Sequence, residues 1–382
     1  MNANLANPAP ERYPRRILLC VTGLSPQIIT ETLFALACQR SPAFVPSEIH
    51  LITTREGADY ARLTLLDPEQ GRYHALCREF DLPSEQIRFD PQTIHVIGTE
   101  QPLDDIRSPQ DNETAADCIT ALVRELSSDP DCAIHASIAG GRKTMGFYLG
   151  YALSLLGRPQ DRLSHVLVTP PFESHPDFYY PPLKPRVLLT RENRPVSTAD
   201  AAITLAEIPF VRLRETLPRA LPSGHSGFSE AVRMAQSSLG PARLVLDLAT
   251  RSLHCNDVPV ALRPAEFAFI TWLARRTRDG LPGLQRTAIG PAEAADYLTC
   301  YAALPGQHSG DVERVTRAVE NGMEPEYFDQ RRSNLHKALD QALGQAAGPA
   351  FHVHKSGKRP FTRYALRLEP DQIHIIDNLV TP

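Results

Sequence analysis

Apolar residues over the first 170 positions fall alternately into short unbroken runs and into stretches where they recur every three or four residues. RRILLCVTG (15–23) is a run of strand length ending in glycine, and PQIITETLFALACQR (26–40) has helical spacing with proline in its first turn. SEIHLITT (47–54) predicts a second strand, 57–80 a mostly helical segment, and TIHVIG (93–98) a third strand. The unit then repeats, with a helix over 111–127, a buried strand in CAIHASIAGG (132–141), a helix over 143–156 and a strand in LSHVLVTP (163–170). Such alternation predicts βαβ units and an α/β fold with a mainly parallel sheet, which places ligands at the carboxyl ends of its strands.

The texture changes between 170 and 241, where many of the chain's 34 prolines gather. PPFESHPDFYYPP is too proline-dense for a regular helix or central strand. Beyond it, RLVLDLATRSLHCNDVPVAL (243–262) reads as two short strands with a turn at Asn256 and Asp257, and RPAEFAFITWLARR as a helix. A long helical middle leads to DQRRSNLHKALDQALG, and FHVHKSGKRPFTRYALRL closes as a hairpin with a basic turn. The expected organisation is a disordered or extended arm (1–14), a first domain (15–190), a proline-rich connector (191–242) and a second, α+β domain (243–382).

A length of 382 residues agrees with two domains. Hydrophobic residues at 42% and charged residues at 22% exclude a disordered or collagenous chain. No run approaches the roughly 18 apolar residues of a membrane span, and the N-terminus lacks a signal-peptide core, so a cytoplasmic protein without membrane contact is expected. A net charge of -4 removes any global case for nucleic-acid binding and leaves only local patches. The seven cysteines form no CxxC and no Cys/His cluster, and His50, His95, His135 and His165 stand singly in strands, so no metal site is expected. Neither GxGxxG nor GxxxxGK[ST] occurs, which argues against a dinucleotide cofactor or a Walker loop; no cofactor is expected.

Two strand-to-helix junctions carry candidate chemistry. In TGLSPQ, Gly23 permits close approach and the hydroxyls of Thr22 and Ser25 can donate to a phosphodiester at a helix N-terminus; alternatively Ser25 only caps the helix. In SIAGGRKTMGFYLG, Gly140 and Gly141 expose the backbone and Arg142 and Lys143 place two cations where the helix dipole already favours anions; the bland reading is a solvated pair. LDDIRSPQDNETAAD adds Arg107 and Asn112 after the third strand, where Asp105 and Arg107 equally can pair with each other and Asn112 cap a helix. Arg55 in TTREG has similar standing.

VTGLSPQIITETL, LDDIRSPQDNETAAD and HASIAGGRKTMGFYLGYALSLLGRPQDRLSHVLV together resemble the CRISPR-associated Rossmann-fold (CARF) sensor domains, and more narrowly the CARF ring nucleases of type III CRISPR antiviral defence. The resemblance covers about 15–185. It implies a Rossmann-like sheet and a homodimer that binds a cyclic oligoadenylate, most often cyclic tetra-adenylate, across its two-fold axis. In the ring nucleases the same pocket cuts the ring without metal, to linear products with a 2′,3′-cyclic phosphate. The family's catalytic serine falls on Ser25 and its catalytic lysine on Lys143, with Thr22, Gly23, Arg55, Arg107, Asn112, Gly140, Gly141, Arg142, Thr144 and Met145 left to bind the ligand.

The last 140 residues resemble an OmpR-type winged helix-turn-helix, in which a hairpin precedes a helix beginning Pro-x-Glu-Phe. This implies a recognition helix at 331–343 and a wing at 354–368, so that Arg331, Arg332, Asn334, His336, Lys337, Lys355, Lys358 and Arg359 are candidates for contact with DNA. Two alternatives accompany the enzyme reading. One is a cyclic-oligoadenylate-responsive transcription regulator that leaves the ring intact. The other is a ligand-activated ribonuclease, since Arg331 and His336 match the R-x4-H spacing of HEPN ribonucleases.

Overall fold

The apolar run after Arg16 is buried on both faces because it becomes a central strand. In the computed structural model, β1 (Arg15–Val21), β2 (Glu48–Thr53), β3 (Ile94–Val96), β4 (Cys132–Ser137) and β5 (Arg162–Val168) form a parallel sheet in the order 3-2-1-4-5. Leu19 sits opposite His50 on β2 and Ala136 on β4. The structure describes residues 9–98, 101–173, 175–215, 217, 226–306, 309–358 and 361–377. They fall into two units, one reaching Arg214 and taking in 226–229, the other taking in Glu215, Leu217 and 230–377. The first is the expected α/β, Rossmann-like unit, and the second has a sheet of its own.

The crossovers of the first unit are helical. α1 (Gln27–Phe34) runs into a π-helical turn at Ala35–Gln39, and the mostly helical segment expected over 57–80 is two helices, α2 (Arg55–Leu65) and α3 (Arg72–Glu79). The break has a local cause: Asp67 accepts the amides of Glu69 and Gln70 in a side-chain turn, and Gly71 caps α3. α4 (Pro109–Ser128) starts two residues before the expected 111, because Ser108 and Asp111 cap each other's amides and Pro109 occupies the first turn. α5 (Lys143–Leu156) packs beside α4 and has the predicted bounds.

Inside the arm 1–14, Pro10–Arg12 make one 3-10 turn. Inside the proline-rich stretch, β6 (Val187–Leu189) and β7 (Pro195–Ser197) form a hairpin. β8 (Ile203–Glu207), a proline-free window, then joins β5 as an antiparallel edge strand. A buried polar clamp ties this edge together. Asp161 takes Arg158 through both carboxylate oxygens and the amide of Ile134, while Arg212 donates to the carbonyls of Arg158 and Asp161.

The chain enters the second unit within α6 (Phe228–Leu239). The two strands expected over 243–262 are three: β9 (Leu244–Asp247), β10 (Ser252–Cys255) and β11 (Val258–Val260). Asn256 and Asp257 turn at φ 47° and 62° as the sequence suggests, and a further turn with Arg251 at φ 52° separates β9 from β10. The helices α7 (Pro264–Arg278), α8 (Pro291–Ala302), α9 (Ser309–Val319) and α10 (Pro325–Ala347) follow. The hairpin is β12 (Val353–Ser356) with β13 (Arg363–Leu366), and β14 (Ile373–Ile376) returns parallel to β9. Trp272 is fully buried against Phe269 and Tyr297 in this unit's core. No helix among the described residues is long and apolar enough to cross a membrane.

Removing one partner of a buried ion pair leaves the other uncompensated, so Asp161→Ala should cost about 3–5 kcal/mol of stability in chemical denaturation. A loss below about 1 kcal/mol, the worth of an exposed pair, would show that the clamp is dispensable.

Candidate functional site

β1 connects toward β2 on one side and β4 toward β5 on the other, so the loops that leave them part at the strands' carboxyl ends. Three glycines let the surrounding backbone close on this point. A Cβ on Gly140 would lie 2.9 Å from Thr22 Oγ1 and 3.0 Å from the Val21 carbonyl; one on Gly57, at the start of α2, would lie 2.6 Å from the Gly23 carbonyl. Gly141 has φ 78°, and its Cβ would press to 3.0 Å from the buried Met145 sulfur. Thr22 is buried and its hydroxyl donates to the Ser25 carbonyl at 2.9 Å, so it shapes the loop and does not face a ligand.

The result is a cleft of about 360 Å³ that brings together Gly23, Ser25, Arg107, Gly141, Arg142 and Met145 of the predicted residues. Ser25 is exposed and makes no capping bond, since Pro26 holds the cap position of α1. Lys143 is the first residue of α5, exposed, and without an ion pair among the described residues; Thr144 beside it is exposed too. The remaining cations are engaged. Arg142 grips Asp105 through Nε (2.9 Å) and Nη2 (2.5 Å), Arg107 reaches the same carboxylate at 3.1 Å, and Arg55 pairs with Asp104 at 2.5 Å. The Arg142 bonds, ahead of all other causes, hold the Asp105 carboxyl well below the usual range, and Asp105 in turn raises Arg142. Asn112 does not cap α4; its amide donates to the Tyr148 hydroxyl.

Sequence reasoning missed Asp104, Glu56 and Thr54, which line the cleft, and Gly57, which lets it close. Adjacent carboxylates before an arginine in LDDIR were the available signal. A second cavity of about 860 Å³ shares Leu24 and Ser25 with the cleft. His175 braces its far wall, accepting the Asp177 amide on Nδ1 and donating from Nε2 to the Leu189 carbonyl. Near it, burial and the neighbouring Glu173 push the carboxyl of Glu31 up to about 8.

In the second unit the expected nucleic-acid residues separate into two groups. Arg331 pairs with the buried Glu266 at 2.8 Å, Arg332 with Asp329 at 3.3 Å while lying over the Tyr364 ring, and His336 accepts the Val353 amide at 2.9 Å and stacks on His352. These three are held within the fold, and Arg331 and His336 have separate partners. Asn334 and Lys337 on α10 and Lys355 and Lys358 on the hairpin are exposed, although Asn334 also donates to Glu266. Arg359 lies outside the described residues.

Residues 25–241 match the profile of the family described as CRISPR-associated protein NE0113. No curated protein matches the chain.

His336 supplies a pH test of this local structure. Burial first, then His352 and Arg332, push its pKa down to about 4. The unfolded side chain titrates near about 6.5, so the stability it contributes is complete above that pH and is lost as pH falls from about 6.5 through 4. Trp272, the single tryptophan, reports the second unit by fluorescence. Its denaturation midpoint should fall between pH 7 and pH 4.5, and His336→Gln should reduce that fall. An unreduced fall would remove His336 as a source.

Proposed function

The chain belongs to this CRISPR-associated family, and from that premise we propose that its first unit is a CARF sensor that binds cyclic tetra-adenylate as a homodimer and cuts the ring. The observation that carries the reading is the meeting of two polar loops at the switch point of a parallel sheet, one with a free serine and the other with Gly141, Arg142 and Lys143 at a helix N-terminus. Such a place suits phosphate, because unpaired backbone amides and the helix dipole both favour an anion. Leu24, which lines the cleft, and Phe147, one turn beyond Lys143 on α5, are each 60% exposed, as an apolar rim awaiting a second copy would be.

In the proposed reaction a ribose 2′-oxygen attacks its own 3′-phosphorus in line with the bond to the leaving 5′-oxygen. The 2′-O–P bond forms, the P–5′-O bond breaks, and the 2′-hydroxyl proton is lost as the 5′-oxygen gains one. The Lys143 ammonium stabilises the charge that grows on the phosphate oxygens, and the Ser25 hydroxyl orients the phosphate or the attacking group. Among the described residues the lining of the cleft includes no histidine, which fits slow turnover and a role in ending a signal.

The test is incubation with cyclic tetra-adenylate in EDTA and separation of the products. Linear di-adenylates ending in 2′,3′-cyclic phosphate are expected, and Lys143→Ala should slow their appearance by about 10²–10³, the usual effect of removing a group that stabilises transition-state charge. A ring left intact through prolonged single-turnover incubation would overturn the enzyme and leave the non-cutting regulator. The exposed Asn334, Lys337, Lys355 and Lys358 favour a further role for the second unit, as a winged helix that contacts DNA. Replacing Lys355 and Lys358 by alanine should weaken a mobility shift and lower its salt slope by about 2, at about one per lost phosphate contact. Binding that ignores salt would contradict it.

A further inference from the structure

We propose that Asp105 is an internal counter-ion that occupies the anion site in place of a phosphate and sets an affinity threshold that ligands presenting several phosphates clear and those presenting one do not. The inference rests on the reading of this cleft as a phosphate site. Asp105 takes two parallel bonds from Arg142, the fork that a phosphate would take, and a third from Arg107. Its placement is fixed by the backbone. The Leu103 amide donates to the Ile97 carbonyl and the Arg55 amide to the Leu103 carbonyl, both at 2.8 Å, which holds the approach to Asp104 and Asp105 between the end of β3 and the start of α2. The Asp105 carboxylate is anchored further by the Ile106 amide at 2.7 Å. Of the four cations Arg55, Arg107, Arg142 and Lys143, only Lys143 has no carboxylate partner among the described residues.

A lone phosphate entering this cleft exchanges one set of charge-assisted bonds for another. It gains little, and it leaves a freed carboxylate beside a new anion, in a cleft that Asp104 and Glu56 also line. A ligand with several linked phosphates displaces Asp105 once and then makes its further contacts at the high effective concentration that linkage provides. Both kinds of ligand bear that displacement once, so Asp105 lowers both affinities by about the same factor, and only the further contacts of a multi-phosphate ring lift its binding above the threshold.

The experiment compares wild type with Asp105→Asn, which keeps the side chain's shape and its acceptor for the Ile106 amide. Binding of inorganic phosphate, inorganic tripolyphosphate and cyclic tetra-adenylate is measured at one fixed ionic strength. The variant should bind phosphate about tenfold more tightly, as expected when one charge-assisted competitor is removed, with a similar gain for tripolyphosphate, while wild type binds tripolyphosphate well above phosphate. The double variant with Arg142→Ala should lose the gain. Unchanged or weaker phosphate binding would overturn the proposal and make Asp105 a positioning residue for Arg142; wild type that binds both inorganic probes equally would overturn the threshold. Should Asp105→Asn melt early, Asp105→Ser carries the same comparison. Failure of cyclic tetra-adenylate to bind either protein, with the inorganic probes behaving as expected, would remove the proposed ligand and leave the counter-ion standing.

Discussion

The first unit is organised by two parallel strands that lie side by side while their connections depart in opposite directions. β1 and β4 are buried on both faces, so neither exposes side chains to a ligand along its length. Polar groups collect instead where the strands end, and the reversal of strand order keeps the two loops from covering each other. Gly57, Gly140 and Gly141 are consequences of this constraint, since backbone from α2 and from the loop after β4 must pass within contact of the loop after β1. Any Cβ at those positions would fill the space on which the cleft depends.

The electrostatics of the cleft follow from the same arrangement. The segment after β3 ends at the same side of the sheet, and it brings Asp104 and Asp105 against arginines from two other elements. An array of cations without partners would bind any cellular anion, and one fully paired would bind none. The structure lies between these limits. Exposed arginine–carboxylate pairs contribute little to folding, so their geometry can serve exchange with a ligand without cost to the fold.

The parallel sheet was legible in the sequence because each strand is a short apolar run and each crossover has helical periodicity. The bounds of α5 were legible to the residue, since the Gly-Gly pair and the basic start leave no earlier beginning. Less visible were features set by side chains turning back on the backbone. The Asp67 turn separates α2 from α3 inside a segment legible only as mostly helical, and Ser108 starts α4 earlier than its first apolar residue suggests. β8 was hidden because its pairing partner is distant in sequence and its surroundings are rich in proline. At the site, residue types marked two glycine-rich loops as candidates, whereas which cations would already be occupied depended on carboxylates brought in from another loop.

The second unit shows how much a helix's phase decides. α10 buries Phe328, Leu335, Leu339 and Leu343, which at about 100° per residue fall within about 60° of Phe328 around the axis. On that wheel Arg331 lies about 60° from Phe328, Arg332 about 40° and His336 about 80°, so all three border the apolar stripe. Lys337 lies about 180° away and Asn334 about 120°, on the solvent side. A count of basic residues therefore overstates what this helix can offer a partner. Arg331 and Arg332 have become part of the fold, one beside the buried Glu266 and the other over Tyr364, while the outward face is mostly uncharged and polar. A surface of that kind discriminates by hydrogen bonds more than by charge, and it leaves long-range attraction of an anionic partner to the lysines of the hairpin.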